Sequence, residues 1–489
     1  MRITHAGTSP AVSPVRALLF SFCAVFLVAC IAKEPDSPIT VSRAQTSGGP
    51  VVFQNVSVFD SESLQLVPNR DVIVRGNSIE AVVPSGGQPL PEAAHVVDGE
   101  GTTLVPGLID MHGHISITTG PSWEIATPNP ENNLRAYAYA GVTTVFDPGD
   151  SSGEAAIRRE QVAEGELLGP RIFTAGRIIT DPHGHPRAMV EQLAPWWIKW
   201  YLKPRVATGV ATPEEAVAAV EERQAAGVDA IKVVVDSIPL EADILPQPLL
   251  RTIVDESHRR GLRVVAHIGT TRDAIAAAEN GVDLWVHGIY KERIPDEQIA
   301  TLAAYGIPMV TTSEVFDRYG RAAAGPIDPT PLERETVSAQ RMATFYPPPA
   351  DFDAGPLQNW VTLMQQTREA RLDNVRRLHA AGVTILAGSD TQSGVFPGAG
   401  LHRELATLVE AGLTPAEAIR AATLAPARFL ASGREPDAGV IAAGKRADLL
   451  LVEDDPTRDI AALAEIREVM LNGSLLTRVQ TGGRESVAP

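Results

Sequence analysis

Short apolar runs alternate with amphipathic stretches through the middle of the chain, between about residues 141 and 390. The runs are rich in β-branched residues and bounded by turn residues, which predicts buried strands. The stretches between them predict helices; Thr212 and Pro213 suit a helix start, and Gly227 suits its end. Seven runs lie at 141–149, 171–176, 229–235, 263–268, 283–288, 307–312 and 384–390, and TLVPGLIDMHGH before them is the eighth. This pattern predicts an α/β chain with a parallel (β/α)8 TIM-type barrel.

The segments that flank these runs have a different hydrophobic pattern. Residues 51–83, and later 439–455 and 468–479, alternate apolar and polar positions between turn residues. Neither end is long enough to form a stable sheet alone, so we expect the two ends to pair. The predicted domains are a small β-sandwich from 51–104 and 436–485, and a barrel from 105–435.

The amino-terminal leader predicts export. Arg2 and Arg16 precede the apolar run ALLFSFCAVFLVA, which is too short to span a bilayer and is typical of a signal peptide. The run ends in LVAC, which resembles the lipobox of bacterial lipoproteins, so residues 1–30 are predicted as the signal peptide and Cys30 as the lipidated residue. Ile31 is not the Asp that resembles an inner-membrane retention signal. We therefore expect a lipid-anchored protein of a Gram-negative outer membrane that faces the periplasm, with residues 31–50 as a flexible tether.

Composition narrows the chemistry of the folded body. The formal net charge of −17 argues against nucleic acid or an anionic membrane surface as a partner. The two cysteines, Cys23 and Cys30, both lie in the leader. A metal in the body would therefore be held by nitrogen and oxygen donors, which favours a catalytic site. The sequence does not define the oligomeric state, and a homo-oligomer is compatible with it.

Titratable residues gather at the ends of the predicted strands. His112 and His114 close the first predicted strand, so we expect their side chains to point to the same face from neighbouring pleats, a geometry that suits metal chelation. Active sites of such barrels lie at the carboxyl ends of the strands. The candidate metal ligands are His112, His114, Lys232, His267, His287 and Asp390.

The motifs PGLIDMHGH, IKV, VAHI, VHG and AGSD, in that order, resemble the metal-dependent amidohydrolase superfamily. The later segment GKRADLLLVEDDP is similar to the one that closes the β-domain in that superfamily, and the resemblance covers about residues 50–480. Among its branches the chain looks most similar to the imidazolonepropionase-like group, which includes Xaa-Pro dipeptidases.

The resemblance implies two divalent cations bridged by a carboxylated Lys232. His112, His114 and Asp390 would hold the more buried cation, and His267 and His287 the outer one. Burial in an apolar strand lowers the pKa of a lysine, as carboxylation requires. The donors suit zinc first and manganese or cobalt next. The alternative for Lys232 is an ion pair with Asp236 or another neighbour, which would leave a single metal.

The implied reaction is hydrolysis of an amide or peptide bond in a small substrate, either a dipeptide or an N-acyl amino acid. A hydroxide that bridges the metals would attack the carbonyl, with Asp390 as general base and then general acid. The same metals would also serve hydrolysis of an ester, lactone or phosphotriester. Imidazolone-type chemistry uses one metal and is disfavoured by Lys232. A binding lipoprotein without catalysis is a further alternative.

Two long connections, 177–211 and 313–365, carry the candidate substrate contacts. The resemblance places His185 on a substrate-binding histidine of relatives, while His183 is equally well a solvated loop residue. Arg318, Tyr319 and Arg321 could bind a substrate carboxylate or be solvated loop residues. The aromatic segment Trp196–Tyr201 could form a lid, a membrane-facing patch beside Lys199 and Lys203, or a plug against the barrel.

Overall fold

The structure, a computed structural model, describes residues 33–45, 48–121, 123–124, 126–321, 325–348 and 355–481. The predicted signal peptide and Cys30 lie outside these residues. The strands of this part of the chain are β1 (Ile39–Arg43), β2 (Val51–Asp60), β3 (Gln65–Arg75), β4 (Ser78–Pro84), β5 (His95–Asp98), β6 (Thr103–Pro106), β7 (Leu108–Asp110), β8 (Val142–Asp147), β9 (Arg171–Thr174), β10 (Ile178–Thr180), β11 (Ala207–Gly209), β12 (Ala230–Val234), β13 (Arg263–His267), β14 (Leu284–His287), β15 (Met309–Thr311), β16 (Ile385–Ala387), β17 (Leu449–Val452), β18 (Ile466–Leu471) and β19 (Ser474–Gln480).

Helices connect the strands on the outside of the barrel and close its carboxyl-terminal side. They are Pro130–Tyr139, Ala155–Glu164, Arg187–Leu193, Lys199–Val206, Pro213–Ala225, Gln247–Arg259, Thr271–Glu279, Asp296–Ala304, Ser313–Arg321, Pro331–Thr336, Ala339–Ala343, Gln358–Gln366, Arg368–Ala380, Ala399–Glu410, Pro415–Ala421 and Leu424–Leu430, with short 3₁₀ turns at Gly355–Leu357 and Ile460–Ala464. Thr212 caps the helix that starts at Pro213, as its sequence predicts. None of the helices in the described part of the chain is long and apolar enough to cross a bilayer.

The barrel consists of two parallel sheets that adjoin each other. One has seven strands in the order β11-β10-β12-β13-β14-β15-β16, and the other is β7-β8-β9. The Asp229 amide donates to the Thr174 carbonyl at 2.7 Å at one junction, and the Met111 amide donates to the Ala387 carbonyl at 3.0 Å at the other. Each predicted apolar run contains an observed strand, and β10 follows shortly after the run at 171–176, which contains β9. These strands and helices confirm the predicted (β/α)8 class.

The second domain is a nine-stranded sheet built from both ends of the chain, in the order β1-β19-β18-β17-β6-β2-β3-β4, with β5 beside β2. Its strands bury alternate residues on opposite faces. Leu449 and Leu451 enter the core of the β-domain, whereas Leu450 and Val452 enter the core shared with the barrel helices. Because both faces are buried, the sheet is packed firmly against the barrel.

The interpretation of residues 31–50 as a flexible tether is wrong for a large part of that segment. Strand β1 pairs antiparallel with β19 and extends the sheet at its edge. Before it, the Glu34 carboxylate is buried and accepts from the Thr119 amide at 2.7 Å. The polar composition of residues 31–50 favours a linker, but β19, which is distant in sequence, supplies hydrogen-bond partners for the backbone of β1.

The two long connections are folded rather than structureless. The first contains β10, β11 and the two helices Arg187–Leu193 and Lys199–Val206. The second begins with helix Ser313–Arg321 and contains further short helices, two of which start at the capping residues Thr330 and Ser338. Both connections contribute to the cavity described below.

Candidate metal centre and its cavity

One cavity of about 460 Å³ opens at the carboxyl ends of the barrel strands. Parallel strands end at the same edge, so residues far apart in sequence meet there. All six residues predicted as metal ligands line this cavity: His112, His114, Lys232, His267, His287 and Asp390. Their role as metal ligands stays a prediction.

Asp390 is the centre of the cluster. Its carboxylate lies 3.2 Å from His114 Nε2, 3.7 Å from His112 Nε2 and 3.6 Å from His287 Nδ1. Gln392 donates to Asp390 Oδ1 at 2.8 Å. Ligand atoms of His112, His287 and Asp390 lie within 4.8 Å of one another, close enough to share one ion.

The HxH pair does not lie on a strand, and the expectation of two neighbouring pleats is wrong. Strand β7 ends at Asp110, whose carboxylate accepts from the His112 amide at 3.0 Å and stabilises a turn. The two imidazole rings nevertheless lie 5.1 Å apart. His114 Nδ1 is 3.2 Å from Asp147, which orients the ring toward Asp390. These two carboxylates raise the pKa of His114 to about 10, against the effect of burial.

Lys232 is buried on β12, and its Nζ makes no hydrogen bond within the described chain. Burial lowers the pKa of this amine to about 7. The alternative ion pair with Asp236 is not formed, because Asp236 lies 2.5 Å from Lys291 Nζ and 3.1 Å from His267 Nε2. A buried amine without a partner is costly unless something else satisfies it.

Asp236 and its partners form a supporting network that sequence reasoning missed. The carboxylate accepts from Tyr290, and its contacts with His267 and Lys291 keep the pKa of Asp236 low despite its burial. The carboxylate orients His267 as Asp147 orients His114. The position of Asp236 directly after an apolar strand, in VVVD, was an available sign of this role.

The cluster fits a metal centre by the chemistry of its donors. His112 Nδ1 and Lys232 Nζ are buried without hydrogen-bond partners in the described chain. Burial is the main factor that lowers the pKa of His112 and His287, so that their imidazoles are neutral, as metal ligands must be. A cation would satisfy these nitrogens and balance the Asp390 charge.

His185 and Tyr319, predicted as substrate contacts, both line the cavity. The His185 ring lies 5.3 Å from His267, and its Nδ1 is buried without a hydrogen-bond partner in the described chain. Burial lowers the pKa of His185 to about 3, so the ring is neutral. The Tyr319 hydroxyl lies 3.2 Å from Gln392 Oε1. His183 is exposed and does not line the cavity.

The expectation that Arg318 and Arg321 reach the substrate is wrong. Both arginines belong to helix Ser313–Arg321, and neither lines the cavity. On a helix, Phe316 and Tyr319 share one face, and Arg318 lies on the opposite side from Phe316. Arg318 is accordingly buried in ion pairs with Glu314 at 2.7 Å and Glu333 at 3.1 Å.

The aromatic segment forms a helical hairpin over the cavity, defined here as residues 187–206. Its inner face contributes four apolar cavity residues: Met189, Val190, Leu202 and Val206. Its outer face exposes Trp196 by 83% and Trp200 by 68%. The interpretation of these two tryptophans as a plug is therefore wrong, whereas a lid and a membrane-facing patch both remain predictions.

Comparison with known proteins agrees with this geometry. Residues 103–476 match the model of the amidohydrolase family. The chain therefore belongs to the amidohydrolase family and is a hydrolase that acts on carbon–nitrogen bonds.

Particular relatives are similar over most of their length. The ochratoxinase of Aspergillus niger is 25% identical over 93% of this chain and 91% of its own. A solved Xaa-Pro dipeptidase with bound methionine is 22% identical, with a TM-score of 0.69 over 87% of this chain and 99% of its own. A prolidase complexed with N-methylphosphonate-L-proline is 24% identical, with a TM-score of 0.70 over 88% and 100%. These structures share the fold.

Proposed function

We propose that the chain is a metal-dependent hydrolase that cleaves the amide bond of a small substrate bound in this cavity. The observation that carries the proposal is the buried, unpartnered amine of Lys232 within a cluster of histidines and Asp390. Several similar proteins are named as peptidases or as other hydrolases of small molecules. The proposal follows from the family and this donor set together.

The six cavity residues named above would hold two divalent cations, with zinc the best match to neutral imidazole and carboxylate donors. Lys232 would carry a carbamate formed from carbon dioxide, because a pKa of about 7 leaves much of the amine neutral near physiological pH. When bound, the cations would lower the pKa of a water molecule and polarise the substrate carbonyl.

The remaining chemistry belongs to side chains. Asp390 accepts the proton of the attacking water and passes it to the leaving nitrogen, for which its central position suits it. His185, which is neutral, and Tyr319 offer hydrogen bonds to the substrate carbonyl or amide from the cavity wall. The products are a carboxylic acid and an amine.

The first test is metal content together with amide turnover. We expect two zinc ions per chain by elemental analysis, and release of amine from N-acyl amino acids and dipeptides. Asp390→Asn should lower kcat by roughly 100-fold to 10,000-fold, because the proton acceptor is lost. Turnover of phosphotriesters or esters alone, or no turnover in the metal-loaded protein, would contradict the proposal.

Lys232→Ala tests the carbamate separately. This variant should lose at least about 100-fold in activity through disruption of the metal bridge. A short carboxylic acid such as propionate should restore part of the activity by occupying the vacated position. Lys232→Arg is the control that keeps the charge but cannot form the carbamate, and it should not be rescued. Full activity in Lys232→Ala would refute the bridge.

We also propose that the protein is exported and anchored through Cys30 in the outer membrane. The leader and LVAC support this placement. Metabolic labelling with a fatty acid should mark the wild-type chain, and Cys30→Ser should abolish the label. Label that persists in Cys30→Ser would contradict the proposal.

A further inference from the structure

The cavity differs from a carboxylate-binding site in its charges. Outside the six candidate metal ligands, none of its lining residues within the described chain is an Asp, Glu, Lys or Arg. The imidazole of His185 and the hydroxyl of Tyr319 are among its polar groups. Apart from the candidate metal centre, an anionic group would find no lysine or arginine along this wall.

The cations near the cavity are engaged elsewhere. Lys291 pairs with Asp236 at 2.5 Å, and Arg318 pairs with Glu314 and Glu333. Arg158 approaches the cavity-lining Ser116 at 3.1 Å, but it also pairs with Glu154.

The hairpin of residues 187–206 has its own basic residues, and none of them lines the cavity. Arg205 lies over the Tyr201 ring. Arg187 donates to the backbone carbonyls of Pro182, Lys203 and Ala207, while Lys199 and Lys203 pair with Glu191. The sequence at 322–324 and 349–354, between helices of the second connection, is AAA and PADFDA, which adds no cation.

Ser116, Thr118, Ser151 and Gln392 add uncharged polar groups to the wall, and most of its other residues are apolar and come from several elements. Met189 and Leu202 extend from the hairpin, Ile238 follows β12, and Phe316 and Trp360 come from the second connection. The Phe316 and Trp360 rings lie 6.3 Å apart in an edge-to-face arrangement. Such a wall binds hydrocarbon and aromatic groups by burial, and its uncharged hydroxyl and amide groups supply no opposite charge to a carboxylate.

We propose that the substrate is a lipophilic amide that carries no charge on the groups within the cavity, and that a free carboxylate beside the scissile bond is disfavoured. This inference rests on the proposed hydrolase function and narrows its substrate class. The acidic chain also repels anions at long range. Dipeptides and N-acyl amino acids would then be poorer substrates than their neutral carboxamides.

The test compares a matched pair that differs only in charge: N-hexanoyl-phenylalanine and N-hexanoyl-phenylalaninamide. Hydrolysis of the hexanoyl amide by the zinc-loaded full chain is followed by mass spectrometry. We expect kcat/KM to be at least about 10-fold higher for the carboxamide, which is the cost of leaving one carboxylate unpaired. Equal or greater kcat/KM for the acid would overturn the inference.

Calorimetric binding of the same two compounds keeps the inference testable even if neither is hydrolysed. Tighter binding of the carboxamide supports the inference whatever the turnover, so failure of the hydrolase proposal is distinguishable from failure of the substrate class. Tighter binding of the acid, or binding of neither compound, would overturn it.

A variant that adds a cation to the wall should reverse the preference. Met189→Arg places a guanidinium on the inner face of the hairpin and should shift the ratio of kcat/KM values toward the acid by at least about 10-fold. Met189→Leu keeps an apolar group of similar volume and should leave the ratio unchanged. No shift in a folded Met189→Arg protein would overturn the inference.

Discussion

Two residues of the cluster have unusual backbone conformations. His287 has φ of 76° and Asp390 has φ of 52°, both in the left-handed region. This conformation costs about 1–3 kcal/mol for each residue, and it persists only where neighbouring contacts fix the backbone. The Asp390 amide donates to the His112 carbonyl at 2.6 Å, a contact that ties the end of β16 to the turn after β7. Backbone contacts thus position Asp390 among the three histidines.

Glu404 gives a prediction of pH-dependent stability. This carboxyl is buried on helix Ala399–Glu410, and burial raises its pKa to about 7 even though it accepts from the Glu314 amide at 2.9 Å. Between about pH 4.5 and pH 7 the unfolded chain releases a proton that the folded chain keeps. The free energy of unfolding therefore falls as pH rises through this window, by a total on the order of 3 kcal/mol.

Glu404→Gln should remove this contribution. Relative to wild type, the variant should gain stability as pH increases from 5 to 7.5, as measured by urea unfolding at each pH. Glu369→Gln is the matched control, because the Glu369 side chain is 91% exposed. If the difference in the free energy of unfolding between Glu404→Gln and wild type stays constant with pH, the raised pKa assigned to Glu404 is contradicted.

The position of a side chain in the site was predictable where its place relative to an apolar strand determines which end of the barrel it reaches. The six candidate ligands lie within or shortly after apolar strands, so their convergence could be predicted from the sequence. The orientation of Arg321 could not, because the sequence predicts a loop over residues 313–321, and these residues form a helix. Helical spacing turns Arg321 away from the cavity while Phe316 and Tyr319 face it.

At the scale of elements, β1 extends the sheet from a segment with little strand character. It lies at the sheet edge, and its residues alternate between the core and solvent. Ile39 and Val41 are buried in the core shared with the barrel helices. The strand therefore covers apolar surface that β19 alone would leave open.

The alternation in β1 supplies a matched pair of variants. Val41→Asp should lower the free energy of unfolding by about 2–4 kcal/mol, because a carboxylate would enter an apolar core. Thr40→Asp, one residue away on the exposed face, should change it by less than about 0.5 kcal/mol. Thermal unfolding of both proteins measures the difference, and equal effects would show that β1 is not packed as described.

Central strands were predictable because parallel strands buried on both faces are continuous apolar runs. Strand β1 was not, since its partner β19 lies at the other end of the chain and pairing is not encoded locally. The short helices after β15 had local signs that were overlooked: Thr330 and Glu333 form a capping box. Prolines and glycines in that connection obscured them.

For the whole molecule, the metal centre should contribute to stability. Any ligand that binds only the folded chain stabilises it by mass action, and a cation would also satisfy buried nitrogens. Zinc should therefore raise Tm by several degrees over chelator-treated protein. A Tm that does not respond to zinc would contradict a folded-state metal site.

Lys232→Met should have different effects on the stability of the metal-free and the zinc-loaded protein. In chelator, this variant should be more stable than wild type by about 1–3 kcal/mol, because a buried unpartnered amine is replaced by an apolar side chain. Zinc should raise the free energy of unfolding of Lys232→Met by less than it raises that of wild type. Val233→Met, also buried on β12, introduces methionine in the same strand without removing the amine, and it should not be more stable than wild type in chelator.

The amino-terminal attachment has a consequence for the direction in which the cavity opens. Lys33 forms a backbone bridge with Thr127, whose neighbours Ala126 and Pro128 line the cavity. Only three peptide units separate Lys33 from Cys30, a reach of at most about 11 Å. If Cys30 carries acyl chains, the entrance would be held beside the bilayer surface. Molecules that partition into lipid would then be concentrated at the entrance, where an uncharged amide arrives before its ionised analogue.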